Sequence, residues 1–101
     1  MVGLETIMSV VAEGTGIKAE RIIGWCRIDD YQIPRNLFCY VAYEQGHTLK
    51  PIGRYLNGRK HMTIMSNKSK AYDIIYIDAY WRKIYETIKE KLLNFELAGV
   101  E

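Results

Sequence analysis

The chain has 101 residues, 49% of them hydrophobic and 26% charged, with a formal net charge of +2. That length builds one core and one domain, spanning 1–101 with a core from about 4 to 95, and so small a charge does not by itself mark a nucleic-acid binder. Any such function has to be read from where the cations lie.

Leu4, Ile7, Met8, Val11 and Ala12 recur at helical spacing before Gly14 and Gly16, which predicts a first helix over about 4–13. Ile17 to Ile23 form a short second helix ended by Gly24. The segment "GWCRIDDYQIPRN" is polar and irregular, and Pro34 is suited to the first position of a third helix running to about Gln45, because that N–H needs no partner. Gly46 ends this helix and the Thr48 hydroxyl is expected to cap a fourth, over about Leu49 to Leu56, with Pro51 tolerated in its first turn.

Asn57-Gly58 is a strong turn signal, placing a fifth helix only a few residues after the fourth, as in a helix-turn-helix over about Thr48 to Ile77. Within the fifth helix Ile64, Ala71, Ile74 and Ile75 mark an apolar side, opposite a polar, cationic side of Lys60, Thr63, Ser66, Asn67 and Lys70. Asp78 is expected to cap a sixth helix with a core stripe of Trp81, Ile84, Ile88, Leu92 and Phe95. Tyr76, Tyr80 and Tyr85 exceed that stripe and offer a surface for a protein partner. The reading is all-α, five to six helices around a central helix-turn-helix, in a monomer.

Helix starts favour acidic residues, yet "GRKHMTIM" brings Arg59, Lys60 and His61 to the start of the fifth helix. DNA phosphates would supply the missing negative charge if this end entered the major groove. Arg59 and Lys60 are then expected at phosphates and base edges. An acid-free, solvated helix start is the plainer alternative.

"VVAEGTGIK", "IPRN" and "HTLKPIGRYLNGRKHMTIMSNKSK" follow one another in an order that resembles the C-terminal DNA-binding domain of the bacterial replication initiator DnaA family, from about Thr6 to about Leu92. That family's signature has the form S-L-x-x-I-G-x-x-F-G-G-R-D-H-T-T-V, and Leu49, Ile52, Gly53, Gly58, Arg59, His61 and Thr63 agree with it. The resemblance implies a Trp-repressor-like helix-turn-helix with a recognition helix over about 60–77, reading one asymmetric double-stranded site. It places Lys60, His61 and Met62 at base edges, Thr63 and Ser66 at phosphates, Arg27 in the minor groove and Arg35 at a phosphate, with Lys70 adding charge. A role in replication initiation or its regulation follows from the same resemblance.

Two departures stand inside the signature: Lys60 replaces an acidic residue and Met62 a threonine. Aspartate accepts from cytosine N4, whereas lysine only donates, best to guanine O6 and N7. In the upstream loop, Asp29 and Asp30 stand where the family is basic, which lowers the expected non-specific affinity. A protein-interaction module that keeps the fold with weakened or lost DNA readout is the alternative function.

Other chemistry finds little support. Cys26 and Cys39 lack CxxC partners, so two buried thiols are expected rather than zinc. His47 and His61 have no catalytic spacing to Asp29, Asp30 or a cysteine, and no G-x-x-x-x-G-K-[ST] loop is present. The expectation is therefore no enzyme, cofactor, metal or nucleotide, and no membrane contact, in a cytoplasmic, nucleoid-associated chain. Replication or regulatory proteins would meet it through the C-terminal helix.

Overall fold

A computed structural model describes residues 2–24 and 29–97, the side chains of 29 and 30 excepted. Cys26 and Arg27 lie outside the described residues, as does most of the upstream loop. Six helices follow one another: α1 Leu4–Thr15, α2 Ala19–Ile23, α3 Asp29–Glu44, α4 Leu49–Tyr55, α5 His61–Ile77 and α6 Ala79–Leu97. The described residues are all-α, as the periodicity predicts.

α3 is the axis of the fold. Its run Leu37, Phe38, Cys39, Val41, Ala42 is buried and meets Ile7, Met8 and Val11 of α1, Ile22 of α2, Ile52 of α4 and Ile64 of α5 in one core. α6 closes the far side through Ile88 and Leu92, crossing α1 where a Cβ on Gly14 would come within 2.9 Å of Ile88. An ion pair between Lys91 and Glu13 spans the same crossing. Of the stripe predicted on α6, Ile84, Ile88, Leu92 and Phe95 pack on the domain's own core, while Trp81 is half-buried against the Tyr80 ring. Tyr85, expected beyond the stripe, joins the core, its hydroxyl donating to Glu44 Oε1 at 2.5 Å to tie α6 to the end of α3.

Several ends differ from expectation, each for a local reason. Pro34 lies inside α3 and not at its start, because a full turn from Asp29 precedes it. So near a helix start, proline forfeits one backbone bond, and the buried run that follows it offsets that loss. Thr48 has the extended backbone of a cap but makes no side-chain cap bond. The third residue of α4 is Pro51, so one of the two N–H groups from which such a hydroxyl normally accepts does not exist. Asp78 does cap α6, its Oδ1 accepting from the Tyr80 N–H at 2.9 Å and the Trp81 N–H at 3.4 Å.

Asn67 is the other correction. It was expected on the polar side of α5 but is only 7% exposed, in the buried stripe Ile64, Asn67, Ala71, with its amide 3.9 Å from Cys39 Sγ. Burial pushes the Cys39 thiol up to about 12, outweighing the Asn67 contact that lowers it, so the thiol is protonated at neutral pH. His47 lies at a turn, its Nε2–H donating to the Val2 carbonyl at 2.7 Å.

Between α4 and α5 the chain turns through two consecutive left-handed residues, Asn57 at φ 61° and Gly58 at φ 76°. The Arg59 N–H then donates back to the Gly53 carbonyl at 2.9 Å. A Cβ on Gly53 would lie 2.2 Å from the Arg59 carbonyl oxygen, a backbone atom that cannot swing aside. Gly53→Ala is therefore expected to lower the unfolding free energy by about 1–3 kcal/mol or more in urea denaturation. Gly3→Ala, where a Cβ meets nothing within 4 Å, should change it by less than about 0.5 kcal/mol.

Candidate nucleic-acid interface

Lys60 is the residue immediately before α5, with extended backbone and no side-chain cap bond, and the first turn of the helix contains no acidic residue. Its carbonyl accepts the N–H groups of Thr63 at 3.0 Å and Ile64 at 3.2 Å, which closes the first turn. Lys60, His61, Met62 and Thr63 are all exposed, Met62 at 71%, and only Ile64 points into the core. One turn further on Ser66 is exposed, as are Met65, Ser69 and Lys70. The outward face of α5 is thus a cation, an imidazole, two thioethers and two hydroxyls within the first two turns. Asp73 is the first carboxylate along the helix.

This arrangement brings Lys60, His61, Met62, Thr63 and Ser66 onto one accessible end, with Lys70 further along. Lys50 of α4 joins them: with Tyr43, Thr48, Leu49 and His61 it lines a shallow cleft of about 390 Å³ beside the start of α5. Arg54 on the same helix is also exposed. Lys50 and Arg54 escaped the sequence reading although "LKPIGRY" carries both at helical spacing. Lys68, by contrast, has its ammonium 4.3 Å from the Tyr43 ring centre, a cation–π contact within the fold.

Two of the expected DNA-contacting arginines turn inward. Arg35 is only 4% exposed, its Nε donating to the Ile22 carbonyl at 2.7 Å and its Nη2 to Gly24 at 2.9 Å and Arg21 at 3.4 Å. A guanidinium held in this way cannot also reach a DNA phosphate without leaving three carbonyls, so the phosphate contact expected of Arg35 is corrected to a bond within the fold. Arg59 likewise donates through Nη1 to the carbonyls of Ile23 and Leu56, both at 2.8 Å, and through Nη2 to Gly24. Burial and then the nearby Arg35 cation lower the pKa of Arg59. Arg27, the expected minor-groove arginine, lies outside the described residues.

An exposed cationic end on the second helix of a tight helix pair, with the turn fixed by backbone contact, is the geometry of a helix-turn-helix reader. A family model described as bacterial DnaA protein helix-turn-helix matches residues 4–70. The chain belongs to the bacterial DnaA helix-turn-helix family. It is 29% identical over 92 residues to the chromosomal replication initiator protein DnaA of Chloroflexus aggregans, and 29% identical over 95 residues to that of Mycoplasma capricolum. These matches take in 90% and 93% of this chain but 19% and 21% of the relatives. The chain therefore spans about a fifth of the length of the curated relatives it matches. The DnaA of Ureaplasma parvum is 35% identical over 72 residues, covering 70% of this chain and 16% of that protein.

The DnaA family match includes Gly53, Arg59 and the first two turns of α5, and the family is that of a DNA-binding helix-turn-helix, not of a catalytic domain. Among the described residues no helix is long and apolar enough to cross a membrane. Arg35→Gln removes the guanidinium that serves the carbonyls of Arg21, Ile22 and Gly24 and leaves the buried Ile22 carbonyl without its donor. It should cost about 2–4 kcal/mol of stability in chemical denaturation, while the salt dependence of any DNA binding stays that of the wild type.

Proposed function

We propose that this chain binds double-stranded DNA at a specific site, with the first turn of α5 in the major groove, and that it acts in replication initiation or its regulation. The observation that carries the reading is the acid-free first turn of α5, where Lys60, His61, Met62 and Thr63 are exposed together beyond a rigid turn. Isolated, a cation such as Lys60 at a helix start is unfavourable by a few tenths of a kcal/mol, because the helix dipole is positive there. Phosphates reverse that sign.

The roles follow from the chemistry of each group. Lys60 has donors only and suits guanine O6 and N7; Met62 offers apolar contact for a thymine methyl; Thr63 and Ser66 donate hydroxyls to phosphate oxygens. His61 reaches a base edge from the next position. Arg27 enters the neighbouring minor groove, and Lys50 and Lys70 flank the duplex. The chain reads its site as a monomer in the cytoplasm, at the nucleoid.

Random-sequence selection followed by titration against salt tests this. With Lys70, Lys50 and Arg27 supplying the charge against phosphates, a selected duplex should show a log–log salt slope of roughly −3. No enrichment of any sequence at ~50 mM salt, a condition where phosphate contacts are strong, would leave the interaction-module reading in its place. That second reading has its own observation, the exposed corner of Tyr72, Tyr76, Ile77 and Tyr80 where α5 meets α6, which regulatory proteins could meet through the start of α6.

Lys60 offers the sharpest check. Lys60→Asp should move the preferred base at one position from guanine towards cytosine, by on the order of 1–3 kcal/mol of discrimination, with the fold intact. Lys60→Ala should relax that same position. If Lys60→Ala instead weakens all duplexes equally and flattens the salt slope by about one, Lys60 meets a phosphate and not a base.

A further inference from the structure

α2 is five residues long, too short to satisfy its own carbonyls. Other elements do it instead: the carbonyls of Arg21, Ile22, Ile23 and Gly24 each accept a side-chain donor. Arg35 serves Arg21, Ile22 and Gly24 from α3. Asn57 reaches Ile23 at 3.3 Å, and Arg59 reaches Ile23 and Gly24, both from the turn before α5. The same Arg59 guanidinium also takes the Leu56 carbonyl, at the end of α4. Its two terminal nitrogens therefore join three backbone segments: the end of α2, the end of α4 and, through its own main chain, the start of α5.

We propose that Arg59 is a positioning residue for DNA readout: it aims the first turn of α5 through the planar fork of its guanidinium, and its charge is not spent on a phosphate. The proposal rests on the reading that this turn meets DNA. Lys60, the residue placed at a base edge, follows Arg59 directly and its carbonyl closes the first turn of the helix. A shift of Arg59 thus moves the base-facing end as a whole. Arg35 holds the opposite side of the same carbonyl, that of Gly24, so α2 is the fixed point against which the turn is braced.

Arg59→Lys separates the possibilities, because lysine keeps the charge but concentrates its donors at one point and cannot span three carbonyls. In the positioning role, Arg59→Lys loses about tenfold of the preference for the selected duplex over a random one, the size expected for losing a charged hydrogen bond. The salt slope stays that of the wild type. In a phosphate-contacting role, lysine substitutes and the preference is retained, which overturns the proposal.

Amide hydrogen exchange supplies a readout that does not involve DNA. Arg59→Lys should speed exchange at the Thr63 and Ile64 amides, which donate to Lys60, by about tenfold as their turn opens locally, with the amides of buried α3 residues unchanged. Unchanged exchange at Thr63 and Ile64 overturns the proposal. Equal acceleration in α3 also overturns it, since Arg59 then supports global stability only. If the wild type selects no duplex, the DNA-binding reading falls, and the exchange measurement still decides what Arg59 positions.

Discussion

The approach of the Arg59 backbone to Gly53 is the constraint from which the rest of the reading head follows. With the Arg59 N–H on the Gly53 carbonyl at 2.9 Å and no room for a Cβ between the two segments, α4 and α5 can meet at only a narrow range of angles. The turn that permits it uses two left-handed residues, Asn57 and Gly58, a conformation that side chains beyond asparagine and glycine rarely adopt. Once that corner is set, Ile64 and Ala71 reach the core against α3 and the opposite face of α5 is left to solvent. The position of every proposed base-contacting group depends on this one contact.

The same corner concentrates positive charge, and the chain handles it in two ways. Arg35 and Arg59 point at the carbonyl end of α2, where partial negative charge and hydrogen-bond acceptors are waiting. Lys60 and its neighbours point outward, at the positive end of the longer α5, whose first turn holds no acidic residue. Folding alone would favour an aspartate or serine at position 60. The residue present sacrifices a little stability for donors on an exposed helix end, which is the usual sign that a site is shaped by its ligand and not by the core.

A count of cations is thus a poor guide to a DNA interface. Arg27, Arg35, Arg59, Lys60 and Lys70 look equivalent in a sequence, but the guanidinium fork suits two of them to carbonyl clusters inside the fold. Lys50, by contrast, lies beside His61 in the cleft at the start of α5. Sorting the cations requires knowing which carbonyls lack partners within their own helix, and those lie at the end of α2, eleven to thirty-six residues away in sequence.

Helix number, the helix-turn-helix, the Asp78 cap and the core stripe of α6 were all legible in the sequence, because each depends on spacing or on a residue's own conformational preference. The family motif likewise located the exposed turn of Lys60, His61, Met62 and Thr63, since neighbours along a helix share its orientation. What the sequence could not fix were contacts between distant elements: the inward turn of Arg35 and Arg59, the burial of Asn67 against Cys39, the idle hydroxyl of Thr48 and the placing of Pro34 inside α3. Each of these is decided by which backbone or side-chain group arrives opposite, a matter of packing between segments far apart in the chain. The sequence by itself determined that α5 begins with cations; only the tertiary structure decided which of them are spent on the fold and which remain at the surface.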